Sequence, residues 1–228
     1  RLSRSRDGPR EILQEFKGTL LTDAYSAYDG LSPESPDPLV PAIERAACWA
    51  HARRYFVEAQ ESGCTAAGEA VGLIQAMYAV EADLSKRATQ QKRVLAPEEI
   101  VAERQKRAKP AMETLGQWMA ARLDALPKSP LGKAVAYAQN RWKELGRYLE
   151  DGRIPIDNNA SERALRPVAI GRKNWLFAGS ERGGHAAATF FTSYGTSGIR
   201  ITSAPPAMPA PRVSQPERWP MISAMMMR

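Results

Sequence analysis

The sequence predicts an α/β core interrupted by a mostly helical block and followed by a disordered tail. Three observations lead there. Residues 18–61 alternate strand-like and helix-like segments, as an α/β core does. Residues 65–150 carry apolar side chains at helical spacing. The last 28 residues, Ile201 to Arg228, hold six prolines and five of the eight methionines. No periodicity survives there, so the tail is expected to be disordered.

Residues 9–16 (PREILQEF) read as a helix with Pro9 in its first turn. Gly18 to Thr22 is a β-prone run ending at Asp23. Residues 32–41 hold four prolines and must be a loop. Ile43 to Trp49 is expected to be a second strand, and His51 to Glu61 a helix. In the helical block, Val71, Ile74, Tyr78 and Leu84 lie near one face. Ile100, Met112, Leu115, Met119 and Leu123 repeat the pattern, with a break or kink expected at Pro110. Val135, Ala138, Trp142, Leu145 and Leu149 form a third stripe. Residues 174–178 suggest another short strand, 179–184 a turn, and the stretch to about Thr196 a small-residue helix.

The 228 residues are 43% hydrophobic and 25% charged, enough to bury a core. A formal net charge of +7 favours a polyanionic partner, either nucleic acid or an anionic membrane face. No apolar run reaches the ~18–20 residues that span a bilayer. Residues 1–10 are Arg-rich and lack the apolar stretch of a secretory signal. Cys48 and Cys64 make no disulfide framework and fit a reducing cytoplasm. The first residue is Arg1 rather than Met, so an upstream part is expected.

Two carboxylates stand out. Asp23 ends an apolar strand, where α/β folds hold catalytic groups fixed yet open to a cleft. It fits equally a helix N-cap for the segment that follows. Glu162 sits in IDNNASERALRP, in the first turn of a short helix that Asp157, Asn158 and Asn159 can cap. A carboxylate there also simply suits the helix dipole. Arg163, Arg166, Arg172 and Lys173 then form a basic stretch suited to phosphate, or a solvated basic face. Trp175 and Phe177 within it fit the core better than base stacking. Cys48 and His51 form a C-x-x-H unit at a strand-to-helix junction. Zinc would need two more ligands, and Cys64 and His185 are poorly spaced for it. The pair is read as structural and buried.

Three segments in order carry a resemblance: GTLLTDAYSAYDGL, ACWAHARRYFVEA and IDNNASERALRPVAIGRKNWLFAGSERGGHAAATFF. Over about residues 1–196 the chain resembles the catalytic region of the insertion-sequence-66 family of bacterial transposases. The third segment is the most specific. The resemblance implies a partial ribonuclease H-like core with a DDE carboxylate triad that binds two divalent ions, Mg2+ or Mn2+. By that match Asp23 is the second acidic residue and Glu162 the third, 139 positions apart (162 − 23). The helical block would be an insertion in that core. The implied division is 1–64 core, 65–150 insertion, 151–198 the rest of the core, and 199–228 a tail. The Cys48–His51 pair matches a signature of insertion-bearing families.

The implied chemistry is two-metal DNA strand cleavage and strand transfer. Ions about 3.5–4 Å apart activate the nucleophile and stabilise the leaving oxygen. Implied partners are transposon-end and target DNA, further copies of the protein and other transposon-encoded proteins, with no membrane, in the bacterial cytoplasm. Two departures qualify this. The family's first aspartate lies on a strand upstream of Arg1, and Asp7, in a loop before a helix, is not assigned that role. After about Tyr194 the family's helical ending gives way to Pro- and Met-rich sequence, as a frameshift would produce. The chain by itself is therefore expected to be inactive. The alternative is a non-catalytic DNA-binding remnant. A structural helical protein with incidental charge is a third reading, distinguished by lack of salt-dependent DNA binding.

Overall fold

The computed structural model describes residues 13, 16, 18–23, 43–122, 126–164 and 166. The readings for most of 1–17, for 24–42 and for everything beyond 166, including the strand at 174–178 and the tail, lie outside them. Two compact units divide the chain. One holds Arg1–Thr19, Ala24–Glu44 and Asn159–Arg228; the other holds Leu20–Asp23 and Arg45–Asn158. Most described residues belong to the second.

Helix dominates the described residues, with one small two-stranded parallel sheet. Strand β1 is Thr19–Thr22 and β2 is Glu44–Ala47. Their C-terminal ends are level: the Cys48 N–H donates to the Thr22 carbonyl at 3.2 Å. The expected second strand is thus shorter than Ile43 to Trp49, because Trp49 already opens helix α1, Trp49–Glu61.

Helix α1 buries Trp49, Ala52, Phe56 and Ala59 at spacings of three and four, one stripe of a 3.6-residue period. Helix α2, Ala67–Gln90, does the same with Ala70, Ile74, Met77, Val80 and Leu84. At 24 residues it is about 36 Å long. Helix α3, Pro97–Glu103, starts with proline where no N–H is needed. Glu99 reaches back to accept the Ala96 N–H at 2.9 Å. Arg93 beside it holds the Glu99 carboxyl down at about 2.

The break or kink expected at Pro110 takes the form of a π-helical turn just before it, and the helix does not break. The chain stays helical from Pro97 to Ala120, through a π-helical turn at Arg104–Ala108 and into α4, Lys109–Ala120. Proline lacks an N–H and crowds the carbonyl four residues back. The wider π turn lies where that carbonyl would be, so Pro110 falls near a helix start. Helix α5, Pro130–Asn140, is capped by the Ser129 hydroxyl, which accepts the Gly132 N–H at 3.0 Å. The third stripe then bends: Arg141, at φ −117° and ψ 12°, separates α5 from the short helix α6, Trp142–Gly146, and a 3-10 turn follows at Arg147–Leu149.

The π turn presents Arg104 inward, where it is 2% exposed. Its Nε and Nη2 donate to the two Glu81 oxygens on α2 at 2.8 Å each. Its Nη1 serves the carbonyls of Tyr148, Ile154 and Asp151 at 2.6, 2.9 and 3.1 Å. The residues that carry the chain out of the helical block are thereby fixed to α2. Gly152 tightens the same turn: a Cβ there would stand 2.3 Å from the Pro97 carbonyl oxygen, so a larger residue does not fit.

Arg104→Ala leaves Glu81 and three carbonyls without their donor. It is expected to lower stability by about 3–5 kcal/mol in urea unfolding, the range for breaking a buried pair. Tyr148→Phe removes a buried hydroxyl that has no hydrogen-bond partner among the described residues. It should leave the midpoint unchanged or raise it.

Candidate functional site

Trp49, the first residue of α1, is fully buried and anchors the strand ends. Its indole N–H donates to the Leu145 carbonyl at 2.9 Å, and its backbone N–H donates to the Ile156 carbonyl at 3.1 Å. Trp142 meets it edge-on at 6.2 Å. Residues 154–158 therefore run across the N-terminus of α1.

Cys48 is the next link. It is 0% exposed, and burial pushes its thiol up. The backbone N–H groups of Asn158, His51 and Ala50 aim at the sulfur and counter part of that rise, while Asp157 adds to it. Beside it, the Tyr78 hydroxyl donates to the Asp157 carboxylate at 2.9 Å. Burial first, then Asp157, pushes the Tyr78 phenol far up. On the other flank Tyr55 and Tyr137 rings lie 4.6 Å apart, and the Tyr137 hydroxyl reaches the Asp23 carbonyl oxygen at 3.5 Å. Burial, then Tyr55 and Cys48, pushes the Tyr137 phenol up to about 12.

One unit thus brings together Asp23, Cys48, His51, Asp157 and Asn158 at the C-terminal ends of β1 and β2. Asp23 is half-buried there, directly after β1. The segment that would decide whether it also caps a helix lies outside the described residues. Cys48 is buried and His51 half-buried. Glu162, Arg163 and Arg166 belong to the other unit, where residues 159–164 are helical and these three side chains are exposed. Arg172 and Lys173 lie outside the described residues. Asp157, which the sequence offers as a cap, accepts the Tyr78 hydroxyl. The Asn158 side-chain oxygen is buried and accepts no hydrogen bond from a described residue. Sequence reasoning missed Tyr55 and Tyr137. It placed Tyr78 only on an apolar stripe, although a tyrosine there needs a partner for its hydroxyl.

Asp23 and Glu162 are hard oxygen donors of the kind magnesium and manganese accept. Among the described residues no three His, Cys, Asp or Glu side chains converge as a metal site. Asp23 belongs to one unit and Glu162 to the other, and each is a donor of the type these ions accept.

The comparisons with known proteins bear on this arrangement directly. Residues 1–186 match the model of the Transposase IS66 family. The chain belongs to that family. Its relatives include two uncharacterised proteins of Sinorhizobium fredii. It is 33% identical to y4hP over 81% of this chain and 34% of that protein. It is 36% identical to y4qI over 79% of this chain and 32% of that protein. The chain therefore spans about a third of the length of the curated relatives it matches. No solved structure matches it. No helix among the described residues is long and apolar enough to cross a membrane.

The raised thiol and phenols fix a pH dependence. A group whose folded pKa lies above its unfolded value keeps its proton in the folded chain longer. The folded state then binds more protons, and stability falls as pH rises. Unfolding midpoints should hold to about pH 8.5 and fall steadily towards pH 12, as Cys48, Tyr78 and Tyr137 titrate first in the unfolded chain. A thiol reagent at pH 8 should modify Cys64 quickly and Cys48 only on unfolding.

Proposed function

We propose that this chain is part of the catalytic region of a DNA transposase, in which Asp23 and Glu162 are two of the metal-binding carboxylates. The observation that carries the reading is the family match over residues 1–186. It includes the long segment around Glu162. The strand ends add physical support. Asp23 stands where a sheet holds a carboxylate rigid at an open edge. The residues just before Glu162 are tied to that same edge through Cys48, Trp49 and Tyr78.

In this reading the two strands belong to a partial ribonuclease H-like core, and the helical block at 65–150 is an insertion in it. The bound ions supply Lewis acidity towards a phosphodiester. The chain's own contribution is to position Asp23 and Glu162. Arg163, Arg166, Arg172 and Lys173 contact DNA phosphates, with fixed guanidinium forks matching phosphate oxygens. Cys48 and His51 act structurally: the buried thiol takes three backbone N–H groups and is no nucleophile. Further copies of the protein are its partners in the assembled complex. Two carboxylates of the implied triad are assigned in this chain and the third is not. Three are the usual minimum for holding both ions, so DNA binding outlasts cleavage here. The alternative, a DNA-binding remnant, shares that surface.

The test uses a labelled transposon-end duplex with Mg2+ or Mn2+. Binding should weaken steeply with salt, and the chain should not nick the duplex. Replacing two of Arg163, Arg166, Arg172 and Lys173 should flatten the log–log salt slope by about 0.9 for each phosphate no longer neutralised. Metal-dependent nicking that vanishes in Glu162→Ala would show that the chain supplies a third ligand itself. Absence of any salt-dependent binding would sink the reading.

A further inference from the structure

The ion pairs of the unit Leu20–Asp23 and Arg45–Asn158 contain an exception. Every other arginine between residues 45 and 153 pairs with an Asp or Glu. Arg53 and Arg54, adjacent on α1, make no ion pair with a described residue, and both are exposed. Guanidinium groups this consistently neutralised elsewhere make two bare neighbours conspicuous.

The charge order of α1 sharpens the point. A helix favours anions near its N-terminus and cations near its C-terminus. Helix α1 has no acidic residue in its first turn and no basic residue in its last. Its cations, Arg53 and Arg54, lie in the second turn, and Glu58 and Glu61 lie in the last turn. The carboxylates at the C-terminal end oppose the helix's own dipole. Such an order does nothing for the helix alone. It does concentrate positive potential at the strand ends, where the N-terminal dipole adds to it. Arg53 is close enough there for its charge to act on the Tyr78 hydroxyl.

We infer that Arg53 and Arg54 form a phosphate-contacting step on α1 that seats the backbone of duplex DNA beside the strand ends. This rests on the transposase reading and adds a second basic surface to the one following Glu162. Exposed, unpaired guanidinium forks meet phosphate oxygens bidentately without first breaking an internal ion pair. The interaction is with backbone, so it carries no sequence preference.

The experiment measures binding of the full chain to a labelled duplex by anisotropy across a salt series. The variants are Arg53→Gln/Arg54→Gln, the charge-keeping Arg53→Lys/Arg54→Lys, and the control Arg93→Gln/Arg107→Gln. The control removes the same charge from arginines already paired with Glu99 and Asp83. Circular dichroism and melting verify that each is folded. The glutamine pair at 53 and 54 should reduce the log–log salt slope by about 1.8, at about 0.9 per phosphate. The lysine pair should keep most of the slope, and the control should keep it whole. An unchanged slope in the glutamine pair, or an equal reduction in the control, overturns the inference while leaving the transposase reading intact. Failure of the unaltered chain to bind DNA overturns both.

Discussion

Arg104 is a charged residue in the middle of a helical hairpin, and burying it is tolerable only because each of its three guanidinium nitrogens finds an acceptor. Isolated ions are expensive inside proteins, and the expense is offset only by thorough hydrogen bonding. Glu81 takes one face of the fork, and the carbonyls of Tyr148, Asp151 and Ile154 take the other. The consequence is geometric. Those carbonyls belong to the turn that leads from the helical block back to the strand ends. Two residues beyond it, Ile156 accepts the Trp49 N–H, and two further on the Asn158 backbone N–H faces the Cys48 thiol. One buried side chain therefore links α2, the π turn and the segment entering Asp157 and Asn158.

The helical block accordingly does more than bury apolar surface. Tyr78 on α2 holds Asp157, and Tyr137 on α5 reaches Asp23. Both tyrosines come from the block, and both bond residues next to the strand ends. A family member that needs carboxylates held rigidly gains from such cross-bracing, since a metal site tolerates little displacement of its ligands. The positive charge follows the same logic. From Arg87 to Arg153 the arginines are matched with carboxylates, whereas Arg53 and Arg54 on α1 make no ion pair with a described residue.

How much of this the sequence carried depended on range. Strand β1 was legible because Gly18 and Asp23 bracket a short β-prone run. The helices were legible from stripes such as Val71, Ile74, Tyr78 and Leu84, since burial of one face imposes a 3.6-residue period. The π turn was not: Pro110 signalled trouble, and only three-dimensional packing decided that the helix would widen rather than break. Arg104 was illegible for a related reason, because nothing local distinguishes a buried arginine from an exposed one. The Tyr78–Asp157 bond spans 79 positions, beyond any periodic signal. The sequence marked Asp23 and Glu162 by local position and by the family resemblance, and Cys48 and His51 by their C-x-x-H spacing. It could not show that the Asn158 backbone comes up to the Cys48 thiol, because that approach exists only once the block has folded.

The central claim is that the segment before Glu162 is locked to the strand ends as firmly as the helical core itself. Native-state hydrogen exchange at the Trp49 and Asn158 amides tests it most directly. Both should exchange as slowly as the Phe56 amide, opening only when the unit unfolds. Exchange at Asn158 and Trp49 that is orders of magnitude faster than at Phe56 would contradict it.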